Sequence, residues 1–265
     1  MEWQLLKEIH HDTRCHSISF APVTSLVILP KNVTFCTAGA DFNLNVYKSD
    51  LEDETNLQIL KGHSSYINSI CWEPYGNYLA SVSDDHTCII WDCNDNYENL
   101  TTFYLTSAGM SVKFHPDETG KLLVAEKNGI IHIYNIKTQQ SILSVETNKT
   151  PLMYTDWSLN SGPHICCIAG GELIMWDLRK PSRSMETKQL HEDGGLIVKI
   201  APFNELITAS IGRPGITLKV INIKTTIPFV EAQLKLFGGL CWHYRLPYIC
   251  AAQDRKLCFW KVLSK

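Results

Sequence analysis

The chain has 265 residues, 45% of them hydrophobic and 19% charged, with a formal net charge of −3. That is enough chain for a large unstapled core and too apolar a balance for extended disorder. Lys and Arg form no dominant phosphate-neutralising cluster, no apolar run approaches the ~20 residues that span a bilayer, and the start lacks a secretory apolar stretch. Direct nucleic-acid binding, membrane insertion and export are therefore not expected. Most of the ten cysteines fall inside apparent strands, as free thiols packing like small apolar residues do in a reducing compartment.

In chain order, Glu2-Trp-Gln-Leu-Leu-Lys-Glu-Ile9 comes first and places Trp3, Leu5 and Ile9 on one face by alternation, which predicts a strand. Next comes an apolar strand ending at Phe20, and its kind recurs at Trp72, Phe114, Trp157, Ile200 and Trp242. The intervals are 52, 42, 43, 43 and 42 residues. A second class of strand ends at Tyr47, Trp91, Tyr134, Trp176, Ile221 and Trp260, at intervals of 44, 43, 42, 45 and 39 residues. Two series in step, at the period of propeller blades, predict an all-β WD-repeat β-propeller of six repeats in one domain over residues 1–265.

The second repeat, from Gly62-His63 to Trp91-Asp92, is the most complete. A half-buried indole N–H needs an acceptor and a buried Asp needs donors, so His63, Ser83 (or Ser81), Asp85 and Trp91 are expected to form one hydrogen-bonded chain. Other repeats keep fragments in phase. His11 and His191 lie nine residues before Phe20 and Ile200, as His63 does before Trp72; Asp41 and Asp254 lie six before Tyr47 and Trp260, as Asp85 does before Trp91. Outer strands are expected at Leu57–Lys61, Thr101–Leu105 and Gln140–Val145. The last repeat has no such segment, and residues 2–9 are expected to close its blade, because an open sheet edge and bare apolar face are unfavourable. Deleting residues 1–10 should then lower thermal stability.

Several stretches resemble the nucleoporin thirty-seven family, a WD-repeat subunit of the Y-shaped scaffold complex of the nuclear pore. They include Phe35-Cys-Thr37, Ser81-Val-Ser-Asp-Asp-His-Thr-Cys88, Gly109-Met-Ser-Val112, Val124-Ala-Glu-Lys-Asn-Gly129, Gln139-Gln-Ser-Ile-Leu-Ser144, Pro151-Leu-Met153 and Lys256-Leu-Cys-Phe-Trp260. The resemblance implies a seven-bladed family in which residues 2–9 match the outer strand of a first blade. It also implies a non-enzymatic scaffold that docks onto a large nucleoporin of the Y-shaped complex and supports pore assembly and transport. The implied location is the pore at the nuclear envelope, with kinetochore association in mitosis.

Chemistry-bearing residues were weighed against their place in the repeat. His10, His11, Cys15 and His16 suggest a metal cluster only until repeat phase claims His11, and neither Cys88 with Cys93 nor His164 with Cys166 and Cys167 converges along an alternating strand. No metal, cofactor or small-molecule substrate is expected. Ser83, His63 and Asp85 belong to the structural network and not to a catalytic triad. Trp176-Asp177-Leu178-Arg179 is similar to the motif by which WD-repeat receptors dock on a cullin ubiquitin-ligase adaptor, with Arg179 as the contact. Reading of a peptide or histone tail at a channel mouth is a further alternative. Asp84, His86, Glu126 and Lys127 fall in inter-strand turns, and loops on a rigid scaffold are where binding resides, so they are the expected partner-facing residues. The basic run Arg179–Lys188 reads as a solvated turn.

Overall fold

The structure is a computed structural model that describes residues 5–11, 13–52, 55–159, 163–225, 227–236 and 238–262. The described residues form strands and turns and no helix, gathered into six antiparallel sheets. The first sheet orders β1 (Cys15–Phe20), β2 (Val33–Gly39), β3 (Leu44–Ser49) and β4 (Asn56–Leu60); the second orders β5 (Ile67–Trp72), β6 (Tyr78–Ser83), β7 (Thr87–Asp92) and β8 (Glu98–Tyr104). The third holds β9 (Gly109–Phe114), β10 (Lys121–Glu126), β11 (Ile130–Asn135) and β12 (Gln140–Glu146). The fourth holds β13 (Leu152–Trp157), β14 (His164–Ala169), β15 (Glu172–Asp177) and β16 (Glu186–Gln189). The fifth holds β17 (Gly195–Ala201), β18 (Asn204–Gly212), β19 (Thr217–Asn222) and β20 (Val230–Gln233), and the sixth β21 (Gly239–Trp242), β22 (Tyr248–Gln253) and β23 (Lys256–Lys261). These are the blades of a WD-repeat β-propeller, six in number as the repeat count predicts.

The chain divides into two compact units. One comprises Met1–Val124 and Ile133–Ile142, the other Ala125–His132 and Leu143–Lys265. In the first unit, apolar residues of the first and second sheets meet in one cluster that includes Val46, Leu79, Ile89 and Trp91, and a second cluster joins Val82 and Ile90 to Val112, Leu122 and Tyr134. In the second unit, Ile168 and Met175 pack on Val198 and Ile221, and Ile211 and Val220 on Leu240 and Ile249. Within each unit the core therefore lies between successive blades, which explains why the middle strands there are apolar on both faces. In β6 and β10, five consecutive residues are buried.

The same local devices recur from sheet to sheet. The opening strand carries a β-bulge between Cys15 and Ser17, Ile67 and Ser69, Leu152 and Tyr154, and Gly195 and Ile197, which turns its first residues out of the ladder. The turn between second and third strands holds a left-handed residue: Phe42, His86, Gly129, Gly171 or Asp254. At Gly171 (φ 89°) any Cβ would overlap the carbonyl oxygen of His191, so only glycine fits.

Of the strand expected over residues 2–9, residues 2–4 lie outside the described residues and 5–9 belong to no strand. The sixth sheet has three strands among the described residues.

Candidate functional site

The second repeat contains the expected network. Trp91 Nε1–H donates to Ser81 Oγ (3.0 Å), the Ser81 hydroxyl meets His63 Nε2 (2.8 Å), and His63 Nδ1–H donates to Asp85 (2.8 Å). Since the indole fills the acceptor side of Ser81, its hydroxyl proton points to Nε2, and the imidazole is neutral with its proton on Nδ1. Burial, partly opposed by Asp85, holds the His63 pKa below its ordinary value, in keeping with the neutral ring. Asp85 also accepts from Ser64 N (2.9 Å), Thr87 N (3.0 Å) and Thr87 Oγ1 (2.6 Å). Burial works against its charge, but the bonds from Thr87, Ser64 and His63 outweigh it and keep the carboxyl below the usual range.

The network serine is Ser81, not Ser83. Ser83 sits two residues nearer the turn, and its hydroxyl accepts from the Asp85 amide (3.1 Å). Both serines are fully buried, with no route by which Ser81 could act as a nucleophile. Two other repeats keep the histidine bond at the same phase: His11 Nε2 meets Thr37 Oγ1 (2.7 Å) and His191 Nε2 meets Ser210 Oγ (2.9 Å). Asp41 instead bonds Asn43 (2.7 Å). No group of three or more His, Cys, Asp or Glu placed to hold a metal occurs among the described residues.

The four expected partner-facing residues fall on two turns, one in each unit. In the first unit Asp84 and His86 are exposed on the β6–β7 turn; Asp84 accepts from Asn68 Nδ2 (2.7 Å), the bulge residue of β5, and His86 is left-handed (φ 65°). In the second unit Lys127 is exposed on the β10–β11 turn, but Glu126 is 0% exposed, bound by His132 Nε2 (2.8 Å) and Asn128 Nδ2 (3.4 Å). Glu126 therefore offers no carboxylate to a partner. Repeat phase carries the signal: Glu126 follows Ser83 by 43 residues, and both end a buried second strand.

Arg179 stands at the end of β15 with 67% of its side chain exposed, pairing through Nε (2.9 Å) and Nη2 (2.7 Å) with Asp177. Those hydrogen bonds bring the Asp177 pKa down to about 2. Trp176, one residue before, is buried, so the motif divides into a core anchor and a surface charge.

Sequence reasoning missed an apolar ridge in the first unit. Leu26, Val27, Ile28 and Leu29, on the loop between β1 and β2, are 54–93% exposed, and Val23 and Tyr75 are exposed as well. The two turns touch, since a Cβ on Gly76 would meet Pro22. Exposed runs of aliphatic side chains are what interaction surfaces generally carry.

A model of the WD domain, G-beta repeat, matches residues 54–92, the repeat whose network is most complete. The chain is 48% identical to nucleoporin Nup37 of Drosophila melanogaster, across 94% of this chain and 77% of that protein. Against nucleoporin Nup37 of Mus musculus and Homo sapiens the identities are 38% and 36%, each across 98% of this chain and 80% of the relative. At 48% identity across 94% of its length, the chain belongs to the nucleoporin Nup37 family.

Proposed function

We propose that this nucleoporin is a non-enzymatic scaffold subunit of the Y-shaped complex, held at the nuclear envelope by docking onto a large nucleoporin. In that place it supports pore assembly and nucleocytoplasmic transport, with kinetochore association in mitosis. The family match along nearly the whole chain carries this reading. The structure supports it chemically: the His63–Asp85–Ser81 arrangement is spent on a buried indole, while loops present the exposed Leu26–Leu29 run and the exposed Asp84, His86 and Lys127. Blades held by satisfied interior networks present those loops preformed, so little ordering cost opposes binding.

Affinity purification of the tagged protein from its own cells, with mass spectrometry, tests the proposal. Y-complex nucleoporins in near-equal amounts are expected. The exposed Arg179, two residues after the Trp176-Asp177 pair, leaves one other reading, docking on a cullin adaptor. Recovery of cullin and adaptor, lost on Arg179→Ala, would replace the scaffold reading with that of a ubiquitin-ligase receptor.

A further inference from the structure

The loop from β15 to β16 reads Leu178-Arg-Lys-Pro-Ser-Arg-Ser-Met185, and Arg179, Lys180, Ser182 and Arg183 are exposed on it. We propose that Ser182 is a phosphorylation site for a serine kinase that reads an arginine three residues before its acceptor. Arg183 and Lys149 then hold the phosphate in the cleft beside the loop.

Two arginines of the chain stand three residues before a serine or threonine: Arg14 before Ser17, and Arg179 before Ser182. The structure separates them. A kinase draws its acceptor as accessible, extended chain, and Ser17 is committed to β1, paired with Ala38. Ser182 lies on an exposed turn, where a segment is free to adapt to an enzyme. The next hydroxyl, Ser184, is half-buried and shares a hydrogen bond with Thr187 (3.4 Å). Arg179 is paired with Asp177, but an ion pair this exposed is held weakly and yields to a carboxylate on an enzyme.

Ser182 also lines a cleft of about 320 Å³ with Lys149, Glu172, Trp176, Arg183 and Thr187. Lys149 Nζ is there bound to Glu172 (2.6 Å). In the transfer, Ser182 Oγ attacks the γ-phosphorus of ATP, the bond to the ADP oxygen breaks, and the hydroxyl proton leaves to the kinase's base. A dianionic phosphate competes with the single charge of Glu172 for Lys149 and accepts from Arg183. The loop is thereby tied to the turn that carries Lys149, and a basic surface beside Arg179 is neutralised. Phosphorylation would thus switch off whatever acidic contact that loop makes.

Incubating the folded full chain with the catalytic subunit of an arginine-directed kinase and ATP, then mapping phosphate by mass spectrometry, tests the site. One phosphate at Ser182 is expected, abolished by Ser182→Ala and unaffected by Ser17→Ala. Arg179→Ala should cut kcat/KM about tenfold or more, the scale of one charge-assisted contact. Phosphate at Ser184 or Ser17, an unaffected Arg179→Ala, or labelling of Ser182 only after unfolding in urea would each overturn the proposal. So would absence of the phosphopeptide from protein isolated from cells with phosphatase inhibitors. For the holding site, the Lys149→Ala/Arg183→Ala variant should lose phosphate to a general phosphatase several-fold faster; equal rates would refute it.

Discussion

Ser81→Ala is the sharpest probe of the blade network, because the two serines of β6 differ in what they hold. Ser81 accepts from Trp91 (3.0 Å) and reaches His63 (2.8 Å), and the indole and imidazole are 3% and 1% exposed, closed to water. Removing the hydroxyl leaves a buried donor and a buried acceptor unpaired, at about 1–3 kcal/mol each. Little cavity is created, so the loss should total about 2–6 kcal/mol. Ser83→Ala forfeits one bond from the Asp85 amide, which should cost about 1 kcal/mol. Urea denaturation followed by tryptophan fluorescence gives both values. In thermal unfolding the difference should appear as a Tm lower by several degrees for Ser81→Ala, at about 2–4 °C per kcal/mol. Equal losses in the two variants, or a larger one for Ser83→Ala, would refute the assignment of Ser81 as the hub.

Three further outcomes follow from the same geometry. Gly171→Ala places a methyl on the His191 carbonyl at φ 89° and should destabilise the second unit by about 2–4 kcal/mol in urea denaturation; a neutral result would mean the turn relaxes freely. His191 is kept neutral by burial, and secondarily by Lys219, with its pKa lowered to about 4. An unfolded histidine binds its proton near pH 6.5, so its contribution is complete above about pH 6.5 and is lost progressively as pH falls to about 4; the urea midpoint of His191→Gln should depend less on pH across that window. Val27→Ser with Ile28→Ser removes apolar surface from the exposed ridge, and should weaken recovery of co-purifying nucleoporins while leaving Tm within about 1–2 °C.

What repeats was legible in the sequence, because burial in a stacked architecture is itself periodic. The phase that pairs His11, His63 and His191 with Phe20, Trp72 and Ile200 singled out three histidines that the structure sets against a hydroxyl of the second strand. Phase left Ser81 and Ser83 as alternatives, since both fall on a strand buried along its length; only the distance to the imidazole separates them. Glu126 shows the opposite error. Its charge suggested a surface, although its phase matched Ser83, and His132 supplies the proton donor that makes burial of that carboxylate tolerable.

Side chains that answer to the core repeat with the blade, so a segment that breaks the period needs another account. From Phe20 to Tyr47 the first repeat takes 27 residues where the others take 18–21 between the equivalent positions. The surplus lies in the loop that carries Leu26, Val27, Ile28 and Leu29. No packing requirement of the blade calls for aliphatic residues there, and keeping them in water is unfavourable by the same effect that buries Leu79 and Ile90. An insertion of polar residues would have connected the two strands equally well. If the loop serves a partner, the interval of 52 carries function as well as length, and capture experiments on Val27 and Ile28 decide it sooner than any variant of the network residues.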